Sequence, residues 1–88
     1  MRHYILFHPK AWQEYVGWQA NRKVLKKINQ LIKSISRDGY SRGMGKPEPL
    51  KGTKANAWSR RITSKHRLVY LIKNRQIIII TCKYHYRK

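Results

Sequence analysis

Three side chains stand out as groups that could move protons or grip an anion: Glu48, Arg67 and His85. Glu48 lies between Pro47 and Pro49 in the segment Gly45 to Lys51, GKPEPLK. Pro49 drives Glu48 toward an extended backbone and Pro47 stiffens its approach, so the carboxylate sits on a rigid arm with Lys46 and Lys51 close by. It could serve as a proton acceptor; the plainer alternative is a surface ion pair, which contributes little. His85 belongs to the aromatic and cationic run Lys83-Tyr84-His85-Tyr86-Arg87-Lys88. Imidazole titrates near neutrality, which makes His85 the natural proton donor of the chain, the alternative being a solvated histidine. Arg67 alternates with Val69 and Leu71 on an otherwise apolar strand face. An arginine there needs an anion, and with so few carboxylates available a phosphate is the better candidate.

That scarcity is extreme. The 88 residues hold 21 Lys and Arg against three acids, Glu14, Asp38 and Glu48, for a net charge of +18. Such a chain repels itself unless anions lie close, which points to nucleic acid before an acidic membrane surface or an acidic protein. Aromatic rings beside cations suit unpaired RNA bases and their phosphates. The sequence has no glycine-rich nucleotide loop, no nucleophile elbow and no paired Cys or Cys/His metal spacing. Cys82 is the single cysteine, expected to be a small buried core residue, and it fits a reducing compartment. No apolar run is long enough for a membrane span or a secretory signal, so a soluble cytoplasmic protein is expected.

The elements that must position these residues form one domain, 1–88. Residues 3–7 read as a strand. Pro9 suits the first turn of a helix over 9–19, with Ala11, Tyr15 and Trp18 on one face. Asn21 can cap a second helix, 22–37, whose apolar stripe is Val24, Leu25, Ile28, Leu31, Ile32 and Ile35. Its other face carries Lys23, Lys26, Lys27, Gln30, Lys33 and Arg37, either a solvated surface or a track for phosphates. Residues 38–57 are rich in Gly and Pro and read as a long functional loop. Strands are expected over 58–63, 66–72 and 76–84, joined tightly enough to run antiparallel. Alternation puts Arg61 with Ser59 and Thr63 on a solvent face, and Arg60 with Trp58 and Ile62, its stem packed. The fold class is therefore α+β: two N-terminal helices packed on a mainly antiparallel β-sheet.

Five segments, in this order, resemble the YoeB/Txe family of toxins, a branch of the RelE-like ribonucleases: Lys26-Lys27-Ile28-Asn29, GKPEPLK at 45–51, WSRRIT at 58–63, HRLVY at 66–70 and Tyr84-His85-Tyr86. The resemblance implies a RelE-like domain that cuts mRNA in the ribosomal A site and is neutralised by an acidic YefM-like antitoxin. It implies Glu48 as general base, His85 as general acid and Arg67 as the transition-state cation. Lys51 and Arg61 would assist at the phosphate and Tyr86 would orient substrate, with no metal and no cofactor. Operator DNA, through the toxin–antitoxin complex, and a homodimer remain open as further partnerships. Two departures are visible: Arg87 and Lys88 follow the tyrosine at which related chains end, and the acids usual on the first helix are nearly absent. The chemistry is self-consistent for RNA, whose own 2′-OH is the nucleophile. A base, an acid and a cation suffice to give a 2′,3′-cyclic phosphate and a 5′-OH. The rival class is a non-catalytic basic protein that binds RNA, the ribosome or DNA, for which a carboxylate on a rigid loop would have no use.

Overall fold

The computed structural model describes residues 3–51 and 56–84. Strand β1 (Tyr4–Phe7) leads into helix α1 (Pro9–Gly17), a 3-10 turn (Trp18–Ala20) and helix α2 (Arg22–Asp38). Strands β2 (Glu48–Pro49), β3 (Ala57–Arg61), β4 (Arg67–Lys73) and β5 (Gln76–Thr81) follow. They form one sheet in the order β1-β5-β4-β3-β2. All neighbours are antiparallel except β1, which lies parallel to β5 with Tyr4 opposite Gln76 and Phe7 opposite Ile79.

Local chemistry sets the helix ends. Pro9 takes the first turn of α1, and the His8 side chain caps it by accepting from Lys10 N. Asn21 caps α2 through Oδ1, which accepts from Val24 N at 3.2 Å. Gly39, at φ +100°, ends α2 while its N–H still reaches Ile35 O. The expected stripe on α2 is the buried one: Val24, Ile28, Leu31, Ile32 and Ile35, with Leu25 only half-buried. These residues pack with Ala11 of α1 onto Leu68, Tyr70, Ile77, Ile79 and Cys82, so both helices share one face of the sheet. Asn74 and Arg75, at φ 50° and 64°, make the two-residue turn that joins β4 to β5.

The first helix, expected over 9–19, passes into the 3-10 turn after Gly17, and the sheet departs from the sequence expectation in three main places. Residues 38–57 are not all loop, because Glu48 and Pro49 pair with Ser59 and Trp58 as an edge strand. Pro49 has no N–H to give a ladder, so an edge is where it belongs. β3 stops at Arg61 because Ile62 N and Thr63 N both turn back onto His66 O. β5 stops at Thr81, three residues early, because Cys82 N is taken by the Glu14 carboxylate at 2.9 Å.

Candidate functional site

Register decides which side chains meet. Directly paired residues on adjacent strands point to the same face, and so do residues two apart on one strand. Glu48 pairs with Ser59, Ser59 with Val69, and Arg61 with Arg67. Glu48, Arg61 and Arg67 therefore share one face of the sheet, opposite the face on which Leu68 and Tyr70 meet the helices. Val69 is buried but lies outside the helix-packed core, as that placement requires. Ser59 is also buried, where alternation alone put it at a solvent face. Strand spacing puts the Glu48 and Arg67 backbones roughly 12 Å apart, a gap that a carboxylate arm and a guanidinium arm can close over one phosphate.

The three carboxylates are not equivalent. Glu14 Oε1 accepts from Thr81 Oγ1 at 2.7 Å and from Cys82 N, joining α1 to the end of β5. Asp38 accepts from Arg37 and from Ser34 Oγ, and these bonds, that of Arg37 foremost, hold its carboxyl below the usual carboxylate range. Glu48 is exposed, and no hydrogen bond or ion pair joins its carboxylate to another described residue. Two of the three acids are thus committed to the fold, and the third projects over the arginine face.

Arg61 and Arg67 form a directly opposed pair of like charges, an arrangement that destabilises a sheet unless an anion lies between them. Arg61 is exposed and Arg67 half-buried. Arg67 Nη1 donates to Thr63 O (2.6 Å), His66 O (3.1 Å) and Ser64 O (3.2 Å). The turn between β3 and β4 thereby supplies part of the negative potential that sequence reasoning assigned wholly to an anion. It also fixes the direction of the guanidinium.

The chain after β5 returns to this corner. Tyr84 N donates to His66 Nδ1 at 2.8 Å, and Arg67 N donates to Tyr84 O at 3.1 Å. The His66 ring lies 4.8 Å from Trp18 and 5.4 Å from Tyr84, and Lys83 approaches the faces of both aromatic rings. The residue before His85 is therefore held against the backbone of Arg67. His85 and Tyr86 themselves lie outside the described residues, and exposed Lys51 closes the described part of the β2 arm. In the sequence His66 merely opens a strand beside Arg67, which gives little sign of this contact.

Two further groups are structural. Cys82 is fully buried, and burial pushes its thiol up to about 12. Arg60 is fully buried, as its packed stem suggested, and its head group is enclosed as well. Among the described residues no three His, Cys, Asp or Glu side chains gather closely enough to hold a metal ion. None of the described helices is long and apolar enough to cross a membrane. Outside the sheet, shallow clefts run along both flanks of α2, one lined by Arg22, Lys26 and Lys33, the other by Lys23 and Lys27.

Two helices on one face of a five-stranded mixed sheet is the fold of the RelE/YoeB-like toxins. It superposes on YafQ in the Escherichia coli DinJ–YafQ toxin–antitoxin complex with a TM-score of 0.79 at 14% identity, a likeness of fold alone. The family model described as "YoeB-like toxin of bacterial type II toxin-antitoxin system" matches residues 7–86. Toxin YoeB of Synechocystis is 51% identical, covering 96% of this chain and 98% of that protein. Toxin YoeB of Escherichia coli K12 is 43% identical over 93% and 98%. The Staphylococcus aureus YoeB dimer is 48% identical, with a TM-score of 0.90 over 98% of this chain and 100% of that one. The chain belongs to the YoeB-like toxins of bacterial type II toxin–antitoxin systems.

Proposed function

We propose that this toxin is a metal-independent endoribonuclease that cuts mRNA in the ribosomal A site and so halts translation in the cytoplasm. The observation that carries the proposal is the like-charged pair Arg61–Arg67 with, on the same sheet face, a Glu48 carboxylate that no other described residue engages. A phosphodiester between the arginines relieves their repulsion and brings its 2′-OH toward the acid. Glu48 takes the 2′-OH proton as that oxygen attacks phosphorus. Arg67, aimed by the carbonyls of its turn, stabilises the crowded phosphate, with Arg61 and Lys51 assisting. His85 returns a proton to the departing 5′ oxygen, and Tyr86 stacks on or orients the substrate. The products are a 2′,3′-cyclic phosphate and a 5′-OH, so atoms and charge balance without a cofactor. Much of the acceleration comes from holding the strand in line on the ribosome.

The same surface suits an acidic antitoxin. A YoeB–YefM complex and a YoeB dimer are known for the Staphylococcus aureus relative. An acidic YefM-like protein that covers the arginine face, and a homodimer, are proposed here on that likeness, with operator DNA bound through the toxin–antitoxin complex. The test is single-turnover cleavage on programmed ribosomes at saturating enzyme, beside an equilibrium binding assay. Glu48→Gln and His85→Gln should each slow cleavage by roughly a hundred- to ten-thousand-fold while leaving binding nearly intact. Wild-type rates in both variants remove the assignment of base and acid. A wild type that binds ribosomes and never cuts identifies a non-catalytic basic binder instead.

A further inference from the structure

Among the described residues Arg60 is the largest fully buried side chain, a cation with no described carboxylate in direct contact. Its donors all find acceptors. Nε donates to Tyr70 Oη at 2.8 Å. Nη1 donates to Ser34 Oγ and to Met44 O, each at 3.0 Å. Nη2 donates to Arg42 O at 2.6 Å and Gly39 O at 2.8 Å, with Tyr40 O more distant at 3.5 Å. Four of these six acceptors are backbone carbonyls of one segment, residues 39–44. Two side chains finish the enclosure. Tyr70 Oη donates onward to Tyr40 O, and Ser34 Oγ accepts Met44 N and donates to Asp38 Oδ2. Through that hydroxyl the buried charge reaches its compensating carboxylate.

Burying a charge in this way is a poor route to stability, because well-packed apolar residues of similar volume often do as well or better. It is a good route to a single loop conformation, since only one path of the chain brings those carbonyls to one guanidinium. The loop so fixed leads directly to the candidate base. Gly45 O accepts Arg61 N at 2.8 Å, one residue along from Arg60 on β3. A Cβ at Gly45 would fall 2.6 Å from Leu31 Cδ2 and 3.1 Å from Arg60 Cβ, so the chain lies flush on this hub. Lys46 then takes a positive φ of 54°, Pro47 stiffens the next step, and Glu48 enters the ladder opposite Ser59. Arg60 itself points to the helix side of the sheet, away from the arginine face.

We propose that Arg60 is a positioning residue for the Glu48 arm: its enclosed guanidinium organises residues 39–45, sets where the Glu48 carboxylate stands, and controls cleavage without touching RNA. The inference rests on Glu48 acting as the base. The experiment uses the whole protein with Arg60→Met, Tyr70→Phe, Glu48→Gln and the combinations of each of the first two with Glu48→Gln. Arg60→Met keeps apolar volume and removes every donor; Tyr70→Phe removes one member of the enclosure and leaves the core filled. Amide exchange over residues 39–48 should quicken at least tenfold in Arg60→Met, most clearly at Met44. Ribosome binding should stay within about threefold of wild type. Single-turnover cleavage should fall by about 10–100-fold, the usual consequence of displacing a reacting group by about an ångström. The effect should vanish on the Glu48→Gln background, because a residue that acts through Glu48 has nothing left to position. If Arg60→Met does not fold, Tyr70→Phe must show the same pattern at smaller amplitude. A loosened loop with a wild-type cleavage rate, an unchanged loop, or losses that multiply with Glu48→Gln overturns the proposal. A Glu48→Gln protein that cuts at the wild-type rate overturns the catalytic assignment first, and this inference with it.

Discussion

Glu14 should be one of the most costly surface-accessible residues to remove, although no chemistry is assigned to it. One oxygen of its carboxylate accepts both Thr81 Oγ1 and Cys82 N, and the far side of the Cys82 peptide is held by Trp18 Nε1 at 3.0 Å. Thr81 and Cys82 are buried, so Glu14→Ala strands an amide N–H that water reaches poorly and leaves the Thr81 hydroxyl only a long contact to Lys83 O at 3.4 Å. A hydrogen bond to a charged acceptor contributes about 1.5–3 kcal/mol, and two donors sharing one oxygen should together lose about 2–4 kcal/mol. The whole domain is expected to be stable by only about 4–13 kcal/mol, so the loss is a large fraction. For a domain of this size it corresponds to a fall in Tm on the order of 10–25 °C. Glu14→Gln keeps the accepting oxygen and loses the charge, so it should cost about 1 kcal/mol. Thermal and urea unfolding of both variants, alone and combined with Thr81→Val, measures the coupling directly. Equal losses in the Gln and Ala variants, or an Ala variant within about 0.5 kcal/mol of wild type, would refute the argument from that shared oxygen.

Other outcomes follow from the same geometry. With its thiol pushed up to about 12, Cys82 should resist a neutral thiol reagent at pH 8 until the protein unfolds. Labelling of the native protein as fast as a free thiol would contradict its burial. The Asp38 carboxyl is lowered by Arg37 and then Ser34, so its contribution is complete above the unfolded carboxylate range and disappears as pH falls through the folded value. Asp38→Asn should therefore flatten the loss of Tm below about pH 4, and an unchanged acid limb counts against the bond. Gly45→Ala, with φ +88° and Leu31 in the way, should destabilise by at least about 1–3 kcal/mol. Gly17→Ala meets nothing within 4 Å and should stabilise by about 0.4–1 kcal/mol, so the two glycines are predicted to differ in sign. RNA affinity should drop at least tenfold between about 50 and 200 mM salt, and a flat response would exclude a phosphate-dominated interface.

Helix α2 was plain in the sequence because one stripe of β-branched and leucine side chains meets the sheet, and Asn21 announces its start. Strand β5 was overextended because the apolar run continues past the point where Glu14 captures the backbone. That capture comes from a residue 68 positions earlier. Strand β2 was invisible because two residues, Glu48 and Pro49, preceded by another proline, carry no period; only pairing with β3 creates it. The candidate site shows the same division. Residue type singled out Glu48 and Arg67, and alternation separated Arg60 from Arg61. Their common face depends on the register of Glu48 against Ser59, which no local pattern encodes. The enclosure of Arg60 and the clamp of Tyr84 on His66 are likewise contacts between distant segments.

The position of β5 sets a constraint on synthesis. It is the last of the described strands in sequence, yet it lies inside the sheet, between β1 and β4. A nascent chain can form α2 and the β3–β4 hairpin from local contacts, but β1 has no partner until Gln76–Thr81 have left the exit tunnel. Closing the parallel β1–β5 ladder joins segments about 70 residues apart, a contact that forms slowly and only at the end of folding. A translating ribosome therefore carries an unfinished domain with Tyr4, Ile5 and Leu6 unpaired, a form suited to capture by chaperones or proteases. Chains stalled before Gln76 should show no exchange protection at Tyr4–Phe7, and protection should appear abruptly once β5 is free.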